Sequence, residues 1–265
     1  MNVSDLLEPS TFQFQQASKN ASSAKRHDAV EQEQTGNDQE QSRIDQGLAE
    51  VSEAASTFQS TLLSRRTISN LTPIPPAMLK SSLDRAILCA QNAPNHKQTE
   101  PTFFKRIISP SPAIDTLAQI AYNVTYNRKL QRDPENAKHL ATRKRDKWSQ
   151  IPAYLVVAIK NQPPQCVEDE DPYQELDFVP PKTELQLEDY ASSCAATQNI
   201  LLSLHSEGIG TKWATGPVIK TRSFRSLIGL TDTDRVVGLI MVGGIGFNPA
   251  PRRRRQEWTD SVEDL

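Results

Sequence analysis

The chain has 265 residues, with 30 Lys and Arg against 32 Asp and Glu and a net charge of −2 at pH 7. That balance gives no global attraction to nucleic acid or to an acidic membrane. No apolar run reaches the about 18 residues that suggest a membrane-spanning helix. Apolar residues make up 37%, below the roughly 45–50% of a globular average, and residues 1–50 hold most of the deficit.

From Glu31 to Ser42 there is no large apolar residue. Such a run buries too little to offset backbone ordering at about 1–2 kcal/mol per residue, so residues 1–50 are expected to be a disordered polar tail. Residues 51–255 are left as one domain, followed by an acidic end over 256–265. The N-terminus lacks the basic-then-apolar order of a secretory signal. Asp5 and Glu8 count against a transit peptide, while Phe12 and Phe14 leave an organelle open. A cytoplasmic residence is the expectation. Cys89, Cys166 and Cys194 lie far apart, form neither a metal-ligand spacing nor a disulfide framework, and fit a reducing compartment.

In chain order, Ala54, Phe58, Leu62 and Leu63 predict a helix from about Glu50 to Arg65. Thr72 to Pro76 is an extended link. A second helix spans Ala77 to Gln91 and stops before Pro94. Phe103 to Ile108 is a candidate strand. Ala113 to Trp148 is largely helical and basic, with a break at Pro134. Ile151 to Ile159 reads as a buried strand rich in β-branched residues. Asn161 to Pro181 is Pro-rich, acidic and loop-like. The clearest helix runs from Glu188 to His205 and ends at Gly208 and Gly210. Its small residues, Ala191 to Ala196, suit close backbone approach in a dimer or beneath a ring, and suit any buried core equally well. A short helix over Thr221 to Ile228 and an apolar strand from Arg235 to Gly243 complete the pattern. Strands alternating with helices indicate an α+β or three-layer α/β domain.

Arg65-Arg66-Thr67 closes the first helix. Two guanidiniums and a hydroxyl suit a phosphate dianion, each charge-assisted bond being worth about 1.5–3 kcal/mol. An isolated arginine pair is more often a solvated helix end, so the assignment needs support from the rest of the chain. Val242-Gly243-Gly244-Ile245-Gly246 follows a strand, but it lacks the third glycine of a dinucleotide fingerprint. Pro249 and Pro251 also block the required helix. Arg128 to Lys147 is basic, but Asp133, Glu135 and Asp146 dilute it, so a solvated helix face is expected rather than nucleic-acid binding. Arg252 to Arg255 forms a second basic run.

The segment Arg65-Arg66-Thr67-Ile68-Ser69-Asn70-Leu71, then Pro75-Pro76, the helix to Ala90, Ala93-Pro94-Asn95-His96-Lys97 and Pro101 resembles the N-terminal signature of the nitroreductase family. The small, minimal-type bacterial members are the nearest match. Gly208-Ile209-Gly210, Trp213-Ala214-Thr215-Gly216, Leu227 to Leu230 and Val236 to Gly243 resemble the family's C-terminal half, in order. The resemblance covers about residues 60–255. It implies an α+β fold, a three-layer α/β/α sandwich around a mostly antiparallel sheet. It also implies a homodimer with two FMN molecules at the subunit interface; from hydropathy and charge, no membrane or nucleic-acid partner is expected.

By position, Arg65, Arg66 and Thr67 would hold phosphate and ribityl. Asn92 and His96 would reach the partner's flavin. Trp213, Ala214 and Thr215 would line the ring, and Arg252 would add a phosphate contact. The loop near Ser206 and Glu207 would lie near the nicotinamide nucleotide. No metal and no dedicated catalytic side chain is implied, because flavin N5 carries the hydride. NADH or NADPH would reduce the flavin, and a nitroaromatic, quinone or similar acceptor would reoxidise it in ping-pong fashion. Two departures stand out: Asn92 where the family has Arg, and Glu100-Pro101-Thr102 where it has Gln-Pro-Trp. They motivate a competing expectation, a dimer of the same fold with weak or no flavin binding and a structural or regulatory role.

Overall fold

A computed structural model of the chain describes residues 53–164, 171–246 and 262. The expected polar tail, Cys166, the acids Glu168 to Glu170, Arg252 with its basic run, and nearly all of the acidic end lie outside the described residues. The chain divides into two units, Met1–Ser60 and Thr61–Leu265. The described part of the first is the opening of helix α1 (Glu53–Ser64).

The second unit continues with β1 (Leu71–Thr72), α2 (Pro76–Gln91), β2 (Thr102–Ile108), α3 (Pro112–Leu130), α4 (Pro134–Ser149) and β3 (Ala153–Ile159). α5 (Glu184–Ser206), β4 (Ile209–Ala214), α6 (Arg222–Ile228) and β5 (Arg235–Ile245) complete it. Prolines start three of these helices, at Pro76, Pro112 and Pro134. The first helical position has no use for an N–H, and proline's φ is already helical there. The predicted break at Pro134 is thus a helix start.

β5 is the centre of the sheet. β3 pairs with one flank of it, with β2 beyond, and β4 pairs with the other. Gly244 pairs with both Ile209 and Thr72, so β1 lies on the flank opposite β4. Every pairing among the described strands is antiparallel. The side chains of β3 alternate between two buried layers. Ala153, Leu155, Val157 and Ile159 meet Leu79, Leu83 and Ala86 of α2 and Ile200 and Leu204 of α5. Tyr154 and Val156 meet Leu117, Ala121 and Val124 of α3 and Phe224 of α6. The result is the three-layer sandwich of helices, antiparallel sheet and helices. With both faces covered, β3 reads as a continuous apolar run.

Three features departed from the sequence expectation. α5 starts at Glu184, one turn before the expected Glu188, because Thr183 caps it. The Thr183 hydroxyl accepts from Gln186 N–H at 3.2 Å, and Gln186 Oε1 accepts from Lys182 N–H at 2.8 Å. This T-x-x-Q spacing is close to a capping box. The strand β4 was not predicted at all. Gly208, Gly210 and Lys212 carry little strand propensity, and pairing with β5 supplies what propensity does not. Finally, β5 holds one extra residue. Val157 pairs with Gly238 and Ala158 with Val236, leaving Val237 as a bulge.

Gly238 has a strict reason to be glycine: a Cβ there would come within 1.9 Å of the Trp213 indole nitrogen. Gly238→Ala is expected to destabilise the protein by about 1–3 kcal/mol through overpacking, read as a lowered denaturation midpoint in urea. A midpoint equal to wild type would mean that the indole can move aside freely.

Candidate functional site

The candidate site is organised by β4, whose successive side chains point to opposite faces. Trp213 turns toward α2 and α5, over Gly238. Lys212 and Ala214 turn the other way and line a cavity of about 440 Å³. The cavity is bounded by the C-terminal halves of α3 and α4, by Met241 of β5 and by the turn Gly216 to Ile219. Val124, Trp148, Ala214 and Met241 supply apolar walls. Arg128, Lys129, Arg132, Lys144 and Lys212 supply charge, and no carboxylate is among the described lining residues.

Two of these cations feel each other. Burial first, then the charges of Lys212 and Lys147, hold the Lys144 ammonium below the ordinary lysine value. Burial and then Lys147 lower Lys212. Lys144 Nζ sits 4.8 Å from the centre of the Trp148 ring, a cation–π distance. Trp148 is held in turn by Tyr154, whose hydroxyl donates to the Trp148 carbonyl at 2.7 Å.

The predicted phosphate residues occupy the coil between α1 and β1. Arg65 and Arg66 are half-buried and Thr67 is exposed. Directly after them, Ile68 N–H donates to the Thr211 carbonyl of β4 at 2.8 Å. Ile68 and Leu71 crowd Gly210, where a Cβ would meet them at 3.2 and 3.0 Å. Gly210 lies on the same face of β4 as Lys212 and Ala214. From Thr211 to Ala214 the strand spans about 10 Å, with Lys212 between them. The structure therefore lines up the Arg65–Thr67 coil, Lys212 and Ala214 along one strand. Arg65 also lies near the end of α5, where Ser64 Oγ and His205 Nε2 are hydrogen-bonded at 2.9 Å. Burial first and the Arg65 charge second hold the His205 imidazole below its usual value.

Not every expected residue joins this group. Trp213 faces away from the cavity, so its role within the chain is to pack over Gly238. Thr215 is exposed beside the cavity rather than in its lining, while Gly216 does line it. Arg252 lies outside the described residues. Asn92 and His96 are elsewhere. Asn92 caps α2, its side-chain N–H donating to Leu88 O at 2.9 Å. His96 Nε2 is 3.6 Å from Glu188 Oε2, near the start of α5. Glu188 and His205 are 17 positions apart on α5, or about 25 Å. Within one chain, His96 and the Arg65–Thr67 group therefore stand at opposite ends of that helix, while Asn92 follows Cys89, whose carbonyl accepts from the Asn199 side chain at 3.1 Å between those ends.

The loop carrying His96 is firmly fixed. Lys97, Gln98 and Glu100 all have positive φ, a left-handed conformation that costs a non-glycine residue on the order of 1–3 kcal/mol. Hydrogen bonds hold it. Thr99 N–H and Oγ1 donate to Asn95 Oδ1, Thr99 Oγ1 also lies 2.7 Å from Asp189 Oδ1, and Ser192 Oγ donates to Pro94 O. Thr102 and Ser193 hydroxyls meet at 2.6 Å. The small residues of α5 thus serve this loop's close approach. Glu100 is exposed and does not line the cavity of its own chain.

Lys144 and Lys212 escaped the sequence reading, as did the cavity-facing role of Arg128, Lys129 and Arg132. The stretch from Arg128 to Lys147 is not a single solvated face. Arg145 pairs with Asp146 and stands over Tyr122, while Lys144 turns to Trp148. The available signals were the i, i+4 spacing of Lys144 and Trp148, and Lys212 sharing the parity of Ala214. Among the described residues no group of His, Cys, Asp and Glu is arranged to hold a metal ion, and no helix is long and apolar enough to cross a membrane.

A layered antiparallel sheet with a basic, part-aromatic cavity along one strand defines an α+β protein. The sequence model of the Nitroreductase family matches residues 62–244, and the chain belongs to that family. YfhC of Bacillus subtilis (strain 168), which carries the provisional name NAD(P)H nitroreductase, is 22% identical over 201 residues. The match covers 75% of this chain and 90% of that protein. The crystal structure of a nitroreductase-like family protein from Bacillus cereus is similar at a TM-score of 0.59 and 24% identity, covering 78% of this chain and 95% of that one. The NADPH:FMN oxidoreductase of Vibrio harveyi, complexed with NAD+, is similar at a TM-score of 0.53 and 21% identity, covering 79% and 77%.

A lysine whose pKa is lower folded than unfolded opposes folding at neutral pH, and that opposition fades as pH rises toward the unfolded value. Lys212→Gln removes one cause of the shift at Lys144. The Lys144 pKa is expected to move up toward the ordinary value, measured by NMR titration of methylated lysines. A fall or no change would show that the two ammonium groups do not sense each other.

Proposed function

We propose that this chain is an FMN-dependent NAD(P)H oxidoreductase of the nitroreductase type, acting as a homodimer. The carrying observation is the alignment along β4 of the Arg65–Thr67 coil with a cavity whose described charges are all positive. Its residues fit FMN. A donor set of arginines and a hydroxyl at one end suits a phosphate, and the walls of Ala214, Met241 and Trp148 suit a flat ring. A Cβ at Gly216 would meet nothing within 4 Å, so the backbone there leaves room for close approach.

In this reading Arg65, Arg66 and Thr67 hold the phosphate and ribityl, and Ala214, Thr215 and Gly216 border the ring. Bound there, FMN supplies the hydride acceptor and donor, which no side chain of the chain can replace. Lys144 and Lys212 favour negative charge gathering in the cavity, and because they are already in place, little reorganisation is needed when that charge develops. The apolar walls keep water from the reacting face. One cavity serves the nicotinamide donor and then the acceptor in turn, which is ping-pong behaviour. A nitroaromatic, a quinone or a similar oxidised molecule fits as acceptor.

Dimerisation follows from the spacing of His96 and the Arg65–Thr67 group. His96, about 25 Å from the Arg65 end along α5, cannot meet that end's ligand in its own chain. A second copy, related by a two-fold axis, brings it there. Trp213 supports β4 from behind and is not assigned to the ring.

Purified protein is expected to be yellow, and its visible absorption to bleach on anaerobic addition of NADPH or NADH. A colourless dimer that FMN does not reconstitute would favour the competing structural role. Arg65→Ala is expected to lower FMN affinity roughly ten- to hundredfold while the circular dichroism spectrum is retained. Full flavin occupancy in that variant would remove Arg65 from the phosphate site.

A further inference from the structure

The described lining of the cavity carries five cations and no carboxylate. Arg128 and Lys129 close α3, and Arg132 sits in the turn after it, its N–H donating to Lys129 O at 2.9 Å. All three side chains line the cavity. Arg128 and Arg132 are exposed, which places them at its rim, whereas Lys144 and Lys212 are half-buried. Among the described residues none of the three makes a side-chain hydrogen bond or an ion pair. The carboxylates close by are engaged otherwise. Asp133 accepts from Asn136 at 3.0 Å, and Asp171 accepts from Asn127 at 2.9 Å and from Tyr173 N–H at 2.9 Å. Cations in a last turn do complement the helix dipole. That account explains their position on α3 but not their convergence on a cavity that already contains two lysines.

The phosphate of FMN is assigned to the coil at the far end of β4, so the rim cluster is left for a second anion. Of the molecules that would enter beside the flavin, neutral nitroaromatics and quinones have no charge to offer it. The reductant does. NADPH differs from NADH by one group, a 2′-phosphate dianion on the adenosine ribose, remote from the reacting nicotinamide and therefore suited to a rim. Two guanidiniums and an ammonium match its oxygens through charge-assisted hydrogen bonds.

We propose that Arg128, Lys129 and Arg132 bind the 2′-phosphate of NADPH and make NADPH the preferred reductant over NADH. This rests on the chain being an NAD(P)H oxidoreductase, and the test separates the two. Purified protein, with the flavin it carries, is titrated calorimetrically with 2′,5′-ADP and with 5′-AMP. 2′,5′-ADP is expected to bind roughly ten- to hundredfold more tightly, and Arg128→Gln with Arg132→Gln is expected to erase most of that difference. The thermal midpoint of the variant serves as the folding control. In parallel, flavin reduction by NADPH and by NADH is followed in stopped flow. The NADPH-to-NADH ratio of kcat/KM is expected to exceed about ten and to fall toward one in the variant, through KM.

Equal binding of the two nucleotides overturns the proposal, as does a preference that survives in the variant. If flavin is reduced equally well by NADH and NADPH, the proposal fails and the oxidoreductase reading stands. If the protein holds no flavin yet discriminates 2′,5′-ADP through Arg128 and Arg132, the phosphate site stands and the oxidoreductase reading fails.

Discussion

The antiparallel pairing of β4 with β5 is the constraint on which the rest of the molecule depends. It is a backbone interaction, from Ile209 opposite Gly244 to Ala214 opposite Leu239. It fixes which side chains of β4 meet which layer. Lys212 and Ala214 reach the α3–α4 side only because Trp213 is committed to the other, and Trp213 can lie flat only because Gly238 has no side chain. A one-residue slip would exchange the faces, placing the indole where the cavity is and burying Lys212 among the apolar residues of α2 and α5.

The two helical layers then divide the labour. α2 and α5 bury an ordinary apolar core with the sheet and anchor the loop from Ala93 to Thr102. α3 and α4, joined by a three-residue turn, bury a core against the sheet and leave a polar gap lined by the last turns of α3, by Lys144 and Trp148 of α4, and by the turn at Gly216. A basic cavity costs less there than in mid-layer, because its rim is open to water and desolvation is incomplete. The lowered lysines report the part of that cost which remains.

The architecture was legible where chemistry and periodicity agreed. Continuous apolar runs marked β3 and β5, and the 3.6-residue stripe of Leu79, Leu83, Ala86 and Ala90 marked α2. What could not be read was set by long-range partners. β4, which contains Gly210 and Lys212, is a strand because β5 makes it one. Thr183 was passed over as a cap because the apolar stripe of α5 begins later. At the candidate site the order of short motifs pointed to Arg65–Thr67 and to the turn after Trp213, and the geometry sets both beside the same strand. The direction of Trp213, and the convergence of cations from Arg128 to Lys212 across 84 positions of chain (128 to 212), are products of folding that no local window contains.

The hydrogen bond from Ile68 to Thr211 bears on more than ligand binding. Among the described residues β4 has a strand on one flank only, and its other flank is a sheet edge of the kind that recruits strands from neighbouring molecules. The coil carrying Arg65 to Thr67 runs into that edge and takes up one of its carbonyls. A coil left loose to await its ligand would uncover the edge and invite chain-to-chain association. Holding it down beforehand guards against aggregation, and the same anchoring keeps the guanidiniums in place.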